Sequence, residues 1–217
     1  GTDGWRGKVA EAYTFDNLRR CAQGFAEYLR DTFKPAELAR GVVIGHDKRF
    51  SGREFALAAA EVITGNGIPV HFCQGPTPTP AISFQVVHLG ALGAVNITAS
   101  HNPPADNGFK VRDPQGGAIN PDGLKRIESF IPPSVAGVRR IPAVQAEAVG
   151  LLRFFDAKPA YLARIRELMD VQPIKDAGLT VVYDAMWGNG AGWLDELLAG
   201  GKTRVVPIHA GPNPAFP

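Results

Sequence analysis

The sequence predicts a three-layer α/β/α domain on a mixed, mostly parallel sheet, followed by part of a second α/β unit of the same kind. Three observations predict it. Short apolar runs of strand length alternate with stretches of helical period, which makes βαβ units and a sheet covered on both faces. One turn-rich segment between two short apolar pieces adds antiparallel pairing at the sheet's edge. The strand and helix alternation then resumes after a stretch rich in proline and glycine.

Each element follows from its residues. Phe15, Leu18, Ala22, Phe25 and Leu29 recur at helical spacing behind Thr14, a good N-cap. "GVVIG" from Gly41 to Gly45 is a buried strand bounded by glycines. Ser51 and Glu54 have capping-box spacing ahead of Phe55, Leu57, Val62 and Ile63, so a helix is expected to start there. "IPVHFCQG" reads as a strand, and "TPAISFQVVHLG" as a helix with Thr79 at the cap, Pro80 at the first position and Gly90 at the end. "ALGAVNITA" is a third buried strand, "FKVRDPQGGAI" a hairpin and "PDGLKRIESFI" a helix. This first domain is expected to cover residues 1–133. "IPPSVAGVRRIPAVQAEAVG" has prolines and glycines but no firm period, so 134–155 is expected to be a linker. In 156–217 a helix carrying Tyr161, Leu162, Ile165, Leu168 and Met169 precedes the strand "LTVVYDA", the helix in "WGNGAGWLDELLAG" and the strand "TRVVPIHA", an incomplete second domain.

Composition narrows the function classes. Lys+Arg number 23 against Asp+Glu 21, with no long run of one sign, so a nucleic-acid or membrane face has no support. Two cysteines, Cys21 and Cys73, form no CxxC pair, which argues against a disulfide scaffold and fits a reducing cytoplasm. No leader or spanning apolar stretch is present. The chain opens at Gly1 without methionine and stops at Pro217 in a Gly/Pro/Asn stretch, so it is expected to be a fragment.

"ITASHNPPADNGFKV", Ile97 to Val111, follows the third strand and so sits where open α/β sheets bind ligands. Asn, Pro, Asp and Gly are the usual turn formers, and a purely structural loop accounts for most of these letters. It leaves over Ser100, His101 and Lys110. A serine hydroxyl is a poor nucleophile until a neighbour takes its proton, and an imidazole or amine on the same loop supplies one. The flanks "TASHN" are not the GxSxG elbow of acyl transfer. Phosphoryl transfer needs cations around the group transferred, and Arg6, Lys8, Arg49, Lys110 and Arg112 all fall near loops. Arg6 stands in "GTDGWRG", whose glycines suit close backbone approach to a phosphate.

These stretches together, "GTDGWRG", "GHDKRFSG" and "TASHNPPADNGFKV", occur in the order found in the α-D-phosphohexomutases, and the sequence resembles that phosphoglucomutase and phosphomannomutase family over its whole length. "VVYDAMWGNGAG" extends the similarity into the second domain. The resemblance implies a phosphoserine enzyme interconverting 1-phospho and 6-phospho sugars through a bisphosphate. Ser100 would carry the phosphoryl group and, through its phosphate, one oxygen of a Mg²⁺ site. Lys110 would be a general acid/base, His101 the loop histidine, and Arg6 a stabiliser of the transferring group. Arg49 and Asn102 would bind substrate. Mg²⁺ and a hexose 1,6-bisphosphate primer are the cofactors implied, and small sugar phosphates the partners, with glucose and mannose ahead of glucosamine. The resemblance also implies a metal loop of alternating aspartates; no three aspartates here fall at i, i+2, i+4, so the remaining metal ligands are expected outside this chain and the 217 residues alone are expected to be inactive.

Two rival readings are open. The glycines of "WGNGAG" suggest a dinucleotide turn, but the spacing is GxGxG and "TRVVPIHA" lacks the acid that would bind a ribose. A non-catalytic sugar-phosphate sensor is the other, though Ser100, His101 and Lys110 are all retained.

Overall fold

The computed structural model describes residues 4–217. In chain order the first unit comprises β1 (Gly4–Lys8), α1 (Phe15–Thr32), β2 (Val42–His46), α2 (Gly52–Gly65), β3 (Val70–Cys73), α3 (Thr79–Leu89), β4 (Ala94–Ile97), β5 (Asp106–Arg112), α4 (Pro121–Ser129), α5 (Ala143–Ala148) and β6 (Leu152–Phe155). The second comprises α6 (Lys158–Leu168), α7 (Gln172–Asp176), β7 (Thr180–Asp184), α8 (Leu194–Leu198) and β8 (Arg204–Ile208).

Six strands form one sheet in the order β1-β5-β4-β2-β3-β6, with β4, β2, β3 and β6 parallel and β5 antiparallel to both β4 and β1. Every residue of β2 and β4 is buried, as central parallel strands require. Side chains alternate between two apolar clusters. Val42, Ile44, Phe72 and Val95 join Leu18, Phe25 and Ile63 of α1 and α2, whereas Val43, Cys73 and Ala94 meet Ile82 and Val86 of α3. These are the two helix layers of an α/β/α sandwich, as the sequence predicts. Thr14 caps α1 by accepting the Asn17 amide at 3.2 Å, and Gly90 ends α3 at φ 64.

Four local expectations change. Antiparallel pairing in the sheet comes from β1 and β5, while the expected hairpin after β5 is reduced to an Arg112–Ala118 bridge flanked by backbone hydrogen bonds from Asp113 to Gly117 and from Ile119 to Val111. Segment 134–155, expected to be a linker, contains α5 and then β6, which hydrogen-bonds alongside β3 and completes the sheet. Its four-residue strand is too short to stand out from the prolines and glycines before it. The Ser51 capping box does not form, because Ser51 lies at φ 52, ψ 21, not in the extended conformation an N-cap needs. Thr79 is the first residue of α3 rather than its cap, and its hydroxyl accepts the Asn96 amide at 2.8 Å. Of "GTDGWRG", Gly1 to Asp3 lie outside the described residues, and Gly4–Lys8 is an edge strand. No helix among the described residues is long and apolar enough to cross a membrane.

Candidate active site

The carboxyl ends of β2 and β4 lie side by side, since His46 pairs with Ile97, and the two chain segments that leave them build the site. Asp47 to Arg49 follow β2, and Thr98 to Asn102 follow β4. Ser100 is exposed and held at φ 59, a left-handed conformation that costs a non-glycine residue about 1–3 kcal/mol unless its surroundings enforce it. Two groups enforce it. The Ser100 amide donates to Thr98 Oγ1 at 2.9 Å, and the Ser100 carbonyl accepts from Arg49 Nη2 at 3.1 Å.

His101 Nδ1 lies 3.3 Å from Ser100 Oγ, so the expected imidazole neighbour is in place and exposed. Arg6 and Lys110 arrive from other strands. Arg6 pairs with Gly108, and Lys110 with Asn96, which puts both side chains on the same face of the sheet as Gly108 and Asn96. Arg6 Nη1 reaches Asn102 Oδ1 at 3.4 Å, while Asn102 Nδ2 donates to Asp106 Oδ2 at 3.0 Å. Asn102 thus bridges Arg6 to the loop. Lys110 is only 8% exposed and lies beside Asn96, whose amide reaches Thr79 at the mouth of the cleft. Gly108 permits this arrangement, because a Cβ there would collide with the Thr98 carbonyl oxygen and come within 3.1 Å of Arg6 Cγ.

A cleft of about 490 Å³ opens over the loop, between Ser100, His101 and Asn102 on one wall and Met186, Asn189 and Phe216 on the other. The second unit is tied to the first here: Asn189 Nδ2 donates to the Thr77 carbonyl at 3.0 Å and Lys48 Nζ to the Ala210 carbonyl at 3.1 Å. Lys48 is drawn below its ordinary range by burial. Burial also raises Asp47 above the usual carboxylate range, against hydrogen bonds from Thr98 and Arg49 that pull it down.

Asp47 and Thr98 carry signals that sequence reasoning missed. Both lie inside matched motifs, but a carboxylate two residues before an arginine and a threonine two residues before a serine are common in turns. Arg49, expected as a substrate ligand, instead donates to loop carbonyls and is 6% exposed. Mg²⁺ requires several hard oxygens. Asp47 Oδ1 accepts the Arg49 amide and Oδ2 the Thr98 hydroxyl, and among the described residues no three His, Cys, Asp or Glu side chains gather as a metal site. The donors around Ser100 therefore do not fit Mg²⁺ by themselves. In "WGNGAG", a Cβ on Gly190 would collide with Tyr183 Oη, so this glycine serves close packing, and the five-residue α8 that follows is too short to cradle a pyrophosphate.

Comparison with known proteins agrees with this fold. Residues 1–133 match the family model described as phosphoglucomutase/phosphomannomutase, alpha/beta/alpha domain I. Over 98% of its length the chain is 34% identical to phosphoglucosamine mutase of Roseobacter denitrificans, and over 100% it is 32% identical to a phosphoglucomutase/phosphomannomutase of Thermococcus kodakarensis. Among solved structures, a phosphomannomutase candidate from Thermus thermophilus matches with a TM-score of 0.87 at 34% identity over 100% of the chain. The chain spans less than half of these relatives, namely 45%, 46% and 46% of their lengths.

Proposed function

The chain belongs to the phosphoglucomutase/phosphomannomutase family, and from that premise we propose that Ser100 is the residue that carries and transfers a phosphoryl group in a sugar-phosphate mutase. The observation that carries this reading is the exposed Ser100, held at φ 59 at the carboxyl edge of the sheet, with Arg6 and Lys110 supplied by the two neighbouring antiparallel strands.

The reaction is an exchange of one ester for another. A hydroxyl oxygen of a hexose monophosphate bonds to phosphorus, the Ser100 Oγ–P bond breaks, and the hydroxyl proton passes by way of a base to the departing Ser100 Oγ. Lys110 serves as that base and, in handing the proton to Ser100 Oγ, as the acid, because its side chain is buried on the strand paired with β4, from which the serine loop leaves, and an amine can both take up and return a proton. Arg6 faces the negative charge that spreads over the equatorial oxygens. His101, beside Ser100 Oγ, orients the serine or its phosphate ester. The bisphosphate then turns and returns its other phosphoryl group to Ser100, so serine ends as it began.

A hexose is the substrate class, with glucose and mannose first. Mg²⁺ and a hexose 1,6-bisphosphate primer belong to the same reading, with the remaining metal ligands contributed from outside these residues; the 217 residues alone are then inactive. The test is a mutase assay of the complete gene product with hexose 1-phosphates, beside Ser100→Ala. Interconversion that Ser100→Ala abolishes supports the reading. A protein that binds hexose phosphates but never converts them is a sensor instead.

A further inference from the structure

We propose that Arg49 is the positioning residue of the serine loop: from a buried site it fixes the backbone that aims Ser100 Oγ, and it does so without touching substrate. This rests on the phosphoserine reading above.

Arg49 lies on the segment that leaves β2, yet its side chain crosses to the segment that leaves β4. Nη1 donates to the carbonyls of Pro103 at 2.7 Å and Asp106 at 2.9 Å, and Nη2 to those of Asn102 at 2.6 Å and Ser100 at 3.1 Å. A guanidinium has five N–H donors in a fixed plane, and four are accounted for by loop carbonyls. The fifth, on Nε, lies 3.3 Å from Asp47 Oδ2 in an ion pair without hydrogen-bond alignment. Phe216 covers one face, its ring centre 5.5 Å from the guanidinium carbon. The side chain is 3% exposed, so no donor is left for a phosphate in the cleft.

The four carbonyls run from Ser100 to Asp106, from the serine itself to the first residue of β5. Turning them inward onto one rigid plane determines which way the intervening side chains point. Asp47 holds the clamp at its base, accepting the Arg49 backbone amide at 2.9 Å and the Thr98 hydroxyl at 2.6 Å, and Thr98 in turn holds the Ser100 amide. Lysine cannot replace this. Its three donors radiate from one nitrogen and cannot meet four carbonyls spread along the loop.

The experiment compares Arg49→Lys, Asp47→Asn and Ser100→Ala in the complete gene product. A group that acts through loop geometry lowers kcat, by about 100-fold for a displacement near 1 Å. KM for the sugar phosphate then stays within about threefold, the opposite of a lost substrate contact. Hydrogen exchange is expected to speed up at the amides of residues 99–106 in Arg49→Lys, with β2 and β4 unchanged. If Arg49→Lys does not fold, Asp47→Asn keeps the shape of the side chain while removing the ion pair, and the same amides are expected to exchange faster. A raised KM with kcat intact, or loop exchange equal to wild type in the folded variant, overturns the proposal. An active Ser100→Ala removes the phosphoserine reading and this inference with it. An inactive Ser100→Ala beside an unimpaired Arg49→Lys removes this inference alone.

Discussion

Thr98 Oγ1 accepts the backbone amide of Ser100 at 2.9 Å, and the same hydroxyl donates to Asp47 Oδ2 at 2.6 Å. One hydroxyl therefore satisfies an amide in a left-handed residue and a half-buried carboxylate at once. Thr98→Val keeps the shape and removes both bonds, leaving two groups unsatisfied, for a loss of about 1–3 kcal/mol in urea unfolding. Thr98→Ser is expected to restore most of it. Unchanged stability in Thr98→Val contradicts the role given to this hydroxyl.

Gly108 makes room for two neighbours from different strands. Gly108→Ala drives a methyl group into the Thr98 carbonyl oxygen, which is backbone and cannot step aside cheaply. The expected effect is about 1–3 kcal/mol of lost stability, together with reduced mutase activity as Arg6 is displaced. Thermal denaturation and the assay check both. A variant as stable and active as wild type would show that β1 and β5 yield more easily than this packing implies.

Lys110→Met keeps the aliphatic stem of a buried side chain and removes its amine. Loss of a general acid/base lowers kcat by about 10²–10⁴-fold, with little change in KM. Steady-state kinetics of the complete gene product decide it. A KM effect alone assigns Lys110 to substrate binding.

Burial pushes the Cys73 thiol up to about 12 and the Cys21 thiol up to about 11, from an ordinary 9.0. Tyr13 is raised in the same direction by its burial. For acids raised on folding, the stability contribution is fully present below the unfolded value and is lost as pH rises through the folded one. Urea midpoints are therefore expected to hold up to pH 9.0 and to fall from there toward 12, and the buried Cys73 thiol is not expected to react with a thiol reagent at neutral pH without unfolding. Rapid labelling of Cys73 in the native chain contradicts this.

The sheet and its helices were legible because burial leaves a strong mark on sequence. The runs around Val43 and Val95 have apolar residues on both faces, and the α1 pattern begins at a true Thr14 cap. The candidate site was legible where reactive side chains concentrate in one loop, at Ser100 and His101, which the structure places 3.3 Å apart. What stayed hidden depends on contacts distant in sequence. Arg49 looks like any arginine after a strand, and only the approach of residues 100–106 makes it a clamp. Ser51 has the spacing of a cap, but the tight turn from Asp47 puts it at φ 52, where capping fails. β6 was missed because its identity as a strand comes from β3 lying beside it.

The central claim, that Ser100 accepts and returns a phosphoryl group, is tested most directly with hexose 1,6-bisphosphate labelled in its phosphates. Peptide mass mapping of the complete gene product should find label on Ser100 after brief incubation, and an added hexose monophosphate should remove it at the rate of turnover. Sustained turnover with Ser100 never labelled contradicts the account.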